Sequence, residues 1–208
     1  MTELDDLYWS NRYADHTCTW DAGAVTTPLK DYFDQLTDKN IAILVPGCGN
    51  SYEAEYLLKQ GFTNITLIDI STTLCKKLEV KFAAYLSLGL TIICTDFFDH
   101  HGQYDLVIEQ TFFCALHPSK RNAYVEKIHE ILKLNGKLAG VLFNKDFSDG
   151  PPFGGHIEEY ETLFSGTLLI ETMDRCYNSI PPRKEAELFI KMIRKPPVVG
   201  AFSPINRG

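Results

Sequence analysis

The sequence predicts an α/β fold, a mostly parallel seven-stranded open sheet with an antiparallel C-terminal strand and helices on both faces. Three observations predict it. Short β-branched or apolar runs alternate with longer helical stretches, the first run ends on a glycine turn that opens a helix, and the last two runs have no helix between them.

Taken in order, the strand candidates are NIAILVP (40–46), NITLIDI (64–70), LTIICTD (90–96), YDLVIEQ (104–110) and KLAGVLFN (137–144). The helices between them are SYEAEYLLKQG, closed by Gly61; STTLCKKLEVKFAAYLSLG, opened by Ser71 and closed by Gly89; and SKRNAYVEKIHEILKLNG, entered after Pro118. Right-handed crossovers of this kind build a doubly wound sheet whose ligands bind beyond the strands' carboxyl ends. HIEEYETLFSG reads as a further helix, and TLLIETMDRC and AELFIKMIRK, separated by YNSIPPRKE, read as an antiparallel pair. Residues 196–208 read as an irregular tail, and the whole of 1–208 as one domain.

Composition narrows the function classes. A chain of 208 residues with 45% apolar content supports one sizeable core. A formal net charge of −7 argues against a phosphate-backbone ligand, so no nucleic-acid partner is expected. Six scattered cysteines without a CxxC pair suit a reducing, cytoplasmic setting. The opening MTELDDLYWSNRYADHTCTWD has no basic or apolar signal region, and no stretch approaches a membrane span.

The glycine turn carries the first chemistry. Gly47 and Gly49, between a strand and a helix, let a ligand approach the backbone, and Asp69 ends the second strand where a carboxylate can accept from both hydroxyls of a ribose. A dinucleotide site wants a third glycine where Tyr52 stands, so a nucleoside without pyrophosphate, such as S-adenosylmethionine, is favoured over NAD. Alone, Asp96 reads rather as a turn former and Phe97 as a core aromatic, but their register with Gly47 and Asp69 reverses that preference. His100, His101 and His117 show no metal-ligand spacing and are expected in solvent; no metal is predicted.

The succession LVPGCGNS, LIDIS, TDFF, EQTFFCALHPSKRNAYV, GPPF and IPPRK resembles the thiopurine S-methyltransferase superfamily, most closely its halide/thiol methyltransferase branch. The resemblance implies a Rossmann-like class I methyltransferase fold using S-adenosylmethionine. It implies that residues 1–30 form a lid whose Trp9, Tyr13 and Trp20 close over the cofactor, and that Gly47, Gly49, Asp69, Ile70, Asp96, Phe97 and Gln110 also touch it. Cys18 and Thr19 stand where the family usually has Thr and Pro, and Gln110 where the branch often has an aromatic. On the acceptor side the implied residues are Phe112, Phe113, Phe153, Arg121 and Arg183. By residue type alone the tryptophans read equally as helix anchors, Phe113 and Phe153 as core, and the arginines as ion pairs.

The chemistry implied is methyl transfer to a small soft nucleophile: a thiol, bisulfide, thiocyanate, halide or thiopurine. An anionic acceptor needs alignment and a dry site rather than a general base, and none is assigned; if a protein group does titrate with turnover, Glu109 and His117 are the first candidates. A monomer or weak dimer is expected. The rival readings are an NAD-dependent oxidoreductase and a non-catalytic S-adenosylmethionine-binding module.

Overall fold

In the computed structural model, which describes residues 3–196, seven strands form one sheet. They are β1 (Ile43–Pro46), β2 (Ile65–Asp69), β3 (Leu90–Cys94), β4 (Tyr104–Gln110), β5 (Leu132–Phe143), β6 (Leu168–Arg175) and β7 (Glu187–Arg194). Their order is β3-β2-β1-β4-β5-β7-β6. The first five pair in parallel, and β7 lies antiparallel between β5 and β6, which is the expected mixed sheet.

Six helices flank it: α1 (Asp6–Ala14), α2 (Thr27–Phe33), α3 (Tyr52–Lys59), α4 (Thr72–Lys81), α5 (Arg121–Ile131) and α6 (Ile157–Phe164). Side chains alternate across a strand, so each central strand feeds two cores. Ile43 and Val45 of β1, with Leu106 and Ile108 of β4, meet Leu29, Phe33, Leu57 and Leu74 from α2, α3 and α4. Leu44 and Val107 point the other way, to the core holding Tyr124, Ile128, Tyr160 and Phe164 of α5 and α6. Each such burial contributes about 1.5–3 kcal/mol, and a sheet covered on both faces collects it twice.

Two helices are shorter than the sequence predicts. The stretch expected to run helically to Gly89 leaves the helix after Lys81 and continues in turns, with Tyr85 donating to the Phe82 carbonyl and Leu90 to that of Tyr85. A helix from 71 to 89 would be about 28 Å long, whereas five-residue strands such as β2 and β3 reach only about 17 Å. The turns return the chain to the start of β3. The helix expected to reach Gly136 ends at Ile131, and Leu132 already pairs with Tyr104 in β5. A register shift beyond that pair absorbs Asn135 (φ +64°) and Gly136.

Residues 1–30, expected as a lid, overlap α2, whose Leu29 and Phe33 are fully buried. Pro28 in its first turn is the start signal. The expected irregular tail, 196–208, lies outside the described residues except for Pro196. Among the described residues no helix is long and apolar enough to cross a membrane.

Candidate active site

The sheet order turns back on itself between β1 and β4, and beyond the carboxyl ends of these strands lies a cavity of about 1110 Å³. Open α/β sheets take their ligands in this crevice.

On one side the cavity is floored by the glycine turn. Gly47 (φ +54°) and Gly49 (φ +50°) lead through Ser51 (φ +56°) into α3. Gly47 is required for space as well as conformation, because a Cβ there would stand 2.1 Å from Cδ2 of Phe112. Asp69, buried at the end of β2, accepts from the backbone N–H of Gly49 (3.3 Å) and of Ser71 (2.9 Å). Burial pushes its carboxyl up to about 6, against the amides that favour the ionised form. A carboxylate has about four acceptor positions, so Asp69 can still receive the two hydroxyls of a ribose.

Ile70 and Asp96 line the same side. The Asp96 carboxylate also accepts from Phe98 N (2.9 Å), so it forms a turn as well. Phe97 lines the cavity and packs edge-on against Phe112 at 5.2 Å. Where a dinucleotide site would have its third glycine, Tyr52 donates its hydroxyl to Asp21 (3.3 Å) beneath the Lys81 ammonium.

The N-terminal segment covers this half. Asp5 caps α1 by accepting from Tyr8 N, and Asp6 accepts from Thr72 N (2.8 Å) at the start of α4. Ser10 meets Ser71 at 2.9 Å, and Lys77 donates to the Tyr13 carbonyl. Docked in this way, α1 aligns Trp9 and Tyr13 along the cavity, and the Trp20 ring meets them edge-on at 5.5 and 5.9 Å. Thr26 donates to the Gln110 side chain (3.2 Å), tying the segment to the end of β4.

The other half is aromatic and proline-rich: Phe112, Phe143, Phe147, Pro151, Pro152 and Phe153 line it. Phe153 N donates to the Cys114 carbonyl (2.6 Å), holding the 150–153 loop in place. The position of Phe112 depends on Glu109, a fully buried carboxylate that accepts from the N–H of Phe112 and Phe113 (both 2.9 Å) and from Tyr124 OH (2.7 Å). Burial raises its pKa to about 7, and the three donors oppose the rise. Between them Thr111 has φ +59°, a strained value for a β-branched residue.

Two residues implied for the acceptor side stand elsewhere. Phe113 is a core residue against Tyr124, Tyr160 and Phe164 and outside the cavity lining, whereas Phe112, packed on the same Tyr124, reaches the cavity. Arg121 is buried, paired with Glu159, bonded to the Gly154 carbonyl and stacked on Phe113, outside the cavity lining. Arg183 does line the cavity, but its guanidinium donates to Glu187 (3.3 Å) and to the Trp20 carbonyl (2.6 Å).

Of the histidines, His101 is exposed as expected, whereas His100 and His117 are not. His100 is buried, its Nε2 2.8 Å from Tyr104 OH, and burial lowers its pKa. His117 is half-buried on the cavity wall, with Nδ1 accepting from Ser119 N. Sequence reasoning missed Glu53, a buried carboxylate of the cavity lining whose pKa burial raises, and the aromatics Phe143 and Phe147. The position of Glu53 one residue into the helix after the glycine turn was the available signal.

The sequence matches the thiopurine S-methyltransferase family over residues 4–192. It is 28% identical to the probable thiol methyltransferase 2 of Arabidopsis thaliana over 167 residues, 78% of this chain and 74% of that one. Identity to the thiopurine S-methyltransferase of Photobacterium profundum is 25%, covering 87% of this chain and 92% of the other. Among solved structures, the fold resembles that of a Burkholderia thailandensis 1,6-didemethyltoxoflavin-N1-methyltransferase holding S-adenosylhomocysteine, with TM-score 0.73, 16% identity, and coverage of 92% and 87% of the two chains.

Proposed function

Since the chain belongs to the thiopurine S-methyltransferase family, and is thereby an S-adenosylmethionine-dependent methyltransferase, we propose that its acceptor is a small soft nucleophile: a thiol, bisulfide, thiocyanate, halide or thiopurine. The observation that carries this reading is a single cavity whose lining joins the Asp69 carboxylate and the glycine turn to an aromatic and proline wall of Phe112, Pro151, Pro152 and Phe153. Bound S-adenosylmethionine supplies an electrophilic methyl group on a sulfonium.

The chain's own residues bind, align and dry. Asp69 accepts from the ribose hydroxyls, Gly47 and Gly49 admit the cofactor to the backbone, and Ile70, Asp96, Phe97 and Gln110 complete that wall. Trp9, Tyr13 and Trp20, which line the cavity, would exclude water and offer aromatic rings to a positive sulfur, a face of this kind being worth roughly 0.5–2 kcal/mol. Phe112 and Phe153 strip water from the acceptor, where alignment and desolvation supply the rate. No residue is assigned as general base: Glu109 commits its carboxylate to three donors, and an anionic acceptor has no proton to lose. The Tyr52 side chain at the third-glycine position, held by Asp21, speaks against a pyrophosphate and hence against NAD.

The test is a panel of iodide, thiocyanate, bisulfide, an organic thiol and a thiopurine, each incubated with the cofactor and scored for S-adenosylhomocysteine release. Turnover of at least one is expected. Release with none of them, in protein that binds S-adenosylhomocysteine by calorimetry, overturns the acceptor assignment.

A further inference from the structure

Arg183 stands where two distant parts of the chain meet. It ends the short 3₁₀ turn Pro181–Arg183 between β6 and β7, and it is only 8% exposed. One guanidinium nitrogen donates to Glu187 at 3.3 Å, the other to the Trp20 carbonyl at 2.6 Å, and the group lies 5.7 Å from the Phe143 ring centre. Glu53, also buried, feels its charge. The bond to Trp20 joins the acceptor half of the cavity to the N-terminal cover. Asp21, next to Trp20, bonds to Asn50 and Tyr52, so the segment is fastened to the glycine-turn side by one residue and to the acceptor side by the other.

We propose that Arg183 is a positioning residue that latches Trp20, and through its ring Trp9 and Tyr13, over the cofactor half of the cavity. Its charge then serves the cover rather than an acceptor anion. The inference rests on the methyltransferase reading for the identity of the ligand beneath the cover, and it goes further by making cofactor retention depend on the loop between β6 and β7. A guanidinium suits the task, since its planar fork bonds a carboxylate and a carbonyl at once, which a lysine ammonium on a shorter reach does not reproduce. An acceptor that orders the 177–185 loop would tighten the cofactor, and the cofactor would tighten the acceptor by the same factor.

The chain has only two tryptophans, Trp9 and Trp20, and both lie in the cover, so tryptophan emission reports on it alone. Arg183→Met leaves an unbranched apolar side chain in place of the guanidinium and removes both donors; adding Glu187→Gln avoids a buried unpaired carboxylate. In the double variant, acrylamide quenching with S-adenosylhomocysteine bound should rise about twofold and the Kd should weaken about tenfold, the scale of one lost charge-assisted bond. KM for the cofactor should rise while kcat at saturation stays within about twofold, the mark of lost uniform binding. Arg183→Lys and Glu187→Gln alone should each fall between wild type and the double variant. Unchanged quenching and Kd in the double variant overturn the latch, as does a fall in kcat at constant KM, which would place Arg183 at the acceptor chemistry. If the double variant does not fold, Arg183→Lys carries the same measurements. Failure of the wild type to bind S-adenosylhomocysteine refutes the functional reading instead, and quenching in the ligand-free proteins then still decides the latch.

Discussion

Replacing Gly47 with alanine should damage the protein in two separable ways. The first is conformational: at φ +54° an L-residue costs about 1–2 kcal/mol. The second is steric, since the new methyl would lie 2.1 Å from Phe112 Cδ2 and 2.7 Å from Cγ, where ordinary contact is about 3.5–4 Å. Phe112 cannot simply swing aside, because Glu109 holds its N–H and Phe97 packs on its ring. Overpacking of this kind costs about 1–3 kcal/mol. The sum is about 2–5 kcal/mol, and at about 2–4 °C per kcal/mol for a chain of this size Tm should fall by roughly 4–20 °C. A double-mutant cycle separates the parts: in a Phe112→Ala background only the Cβ of residue 112, 3.0 Å away, still crowds the new methyl, so Gly47→Ala should cost little beyond the conformational share of about 1–2 kcal/mol. Urea denaturation of the four proteins measures the coupling. If Gly47→Ala costs the same in both backgrounds to within about 0.5 kcal/mol, the close approach of ring and turn has no energetic weight and the argument from the glycine turn is wrong.

Three further outcomes are expected. Asp69→Ala should weaken S-adenosylhomocysteine binding by about 1.5–3 kcal/mol in calorimetry while the far-UV spectrum stays native; an unchanged affinity would put the ribose elsewhere. For a thiol acceptor of pKa near 8.5, kcat/KM should climb about fifty-fold between pH 6.5 and 8.5, following the thiolate, while iodide stays nearly flat. A shared inflection in both profiles would mean that a protein group controls turnover. Glu109 has its pKa raised to about 7, so the stability it contributes is complete below its unfolded value near 4.5 and lost as pH rises through 7. The fall in Tm from pH 5 to pH 8 should therefore shrink in Glu109→Gln, and an identical slope in both proteins would show that Glu109 does not titrate there.

The strands were legible because their apolar runs have the right length and most have a glycine or proline at one end, and the antiparallel pair because nothing helical lies between TLLIETMDRC and AELFIKMIRK. The ends of α4 and α5 were not, since FAAYLSLG and LKLNG suit a helix locally and only the distance to the next strand stops it. The cofactor half read well, for Gly47, Gly49 and Asp69 sit at strand ends whose place is set by topology. The acceptor half read less well. Phe112 and Phe113 are chemically identical neighbours, and nothing in their spacing tells which one meets the cavity. Arg121 and Arg183 both looked like anion holders, but their partners, Glu159 with Gly154 and Glu187 with Trp20, come from positions that spacing does not reveal.

The placement of β7 bears on how the chain is assembled during synthesis. The ribosome delivers β6 before β7, yet β6 touches the sheet only through β7. A nascent chain that has reached Arg175 therefore carries an unpaired strand and an open edge on β5, both prone to wrong partners until residues 187–194 emerge. Arg183 emerges just ahead of them. Until that stretch is made, the first thirty residues have Gln110 but not Arg183 to fasten to across the crevice, and on the latch proposed above a chain that stops short of it would hold the cofactor more weakly than the full chain.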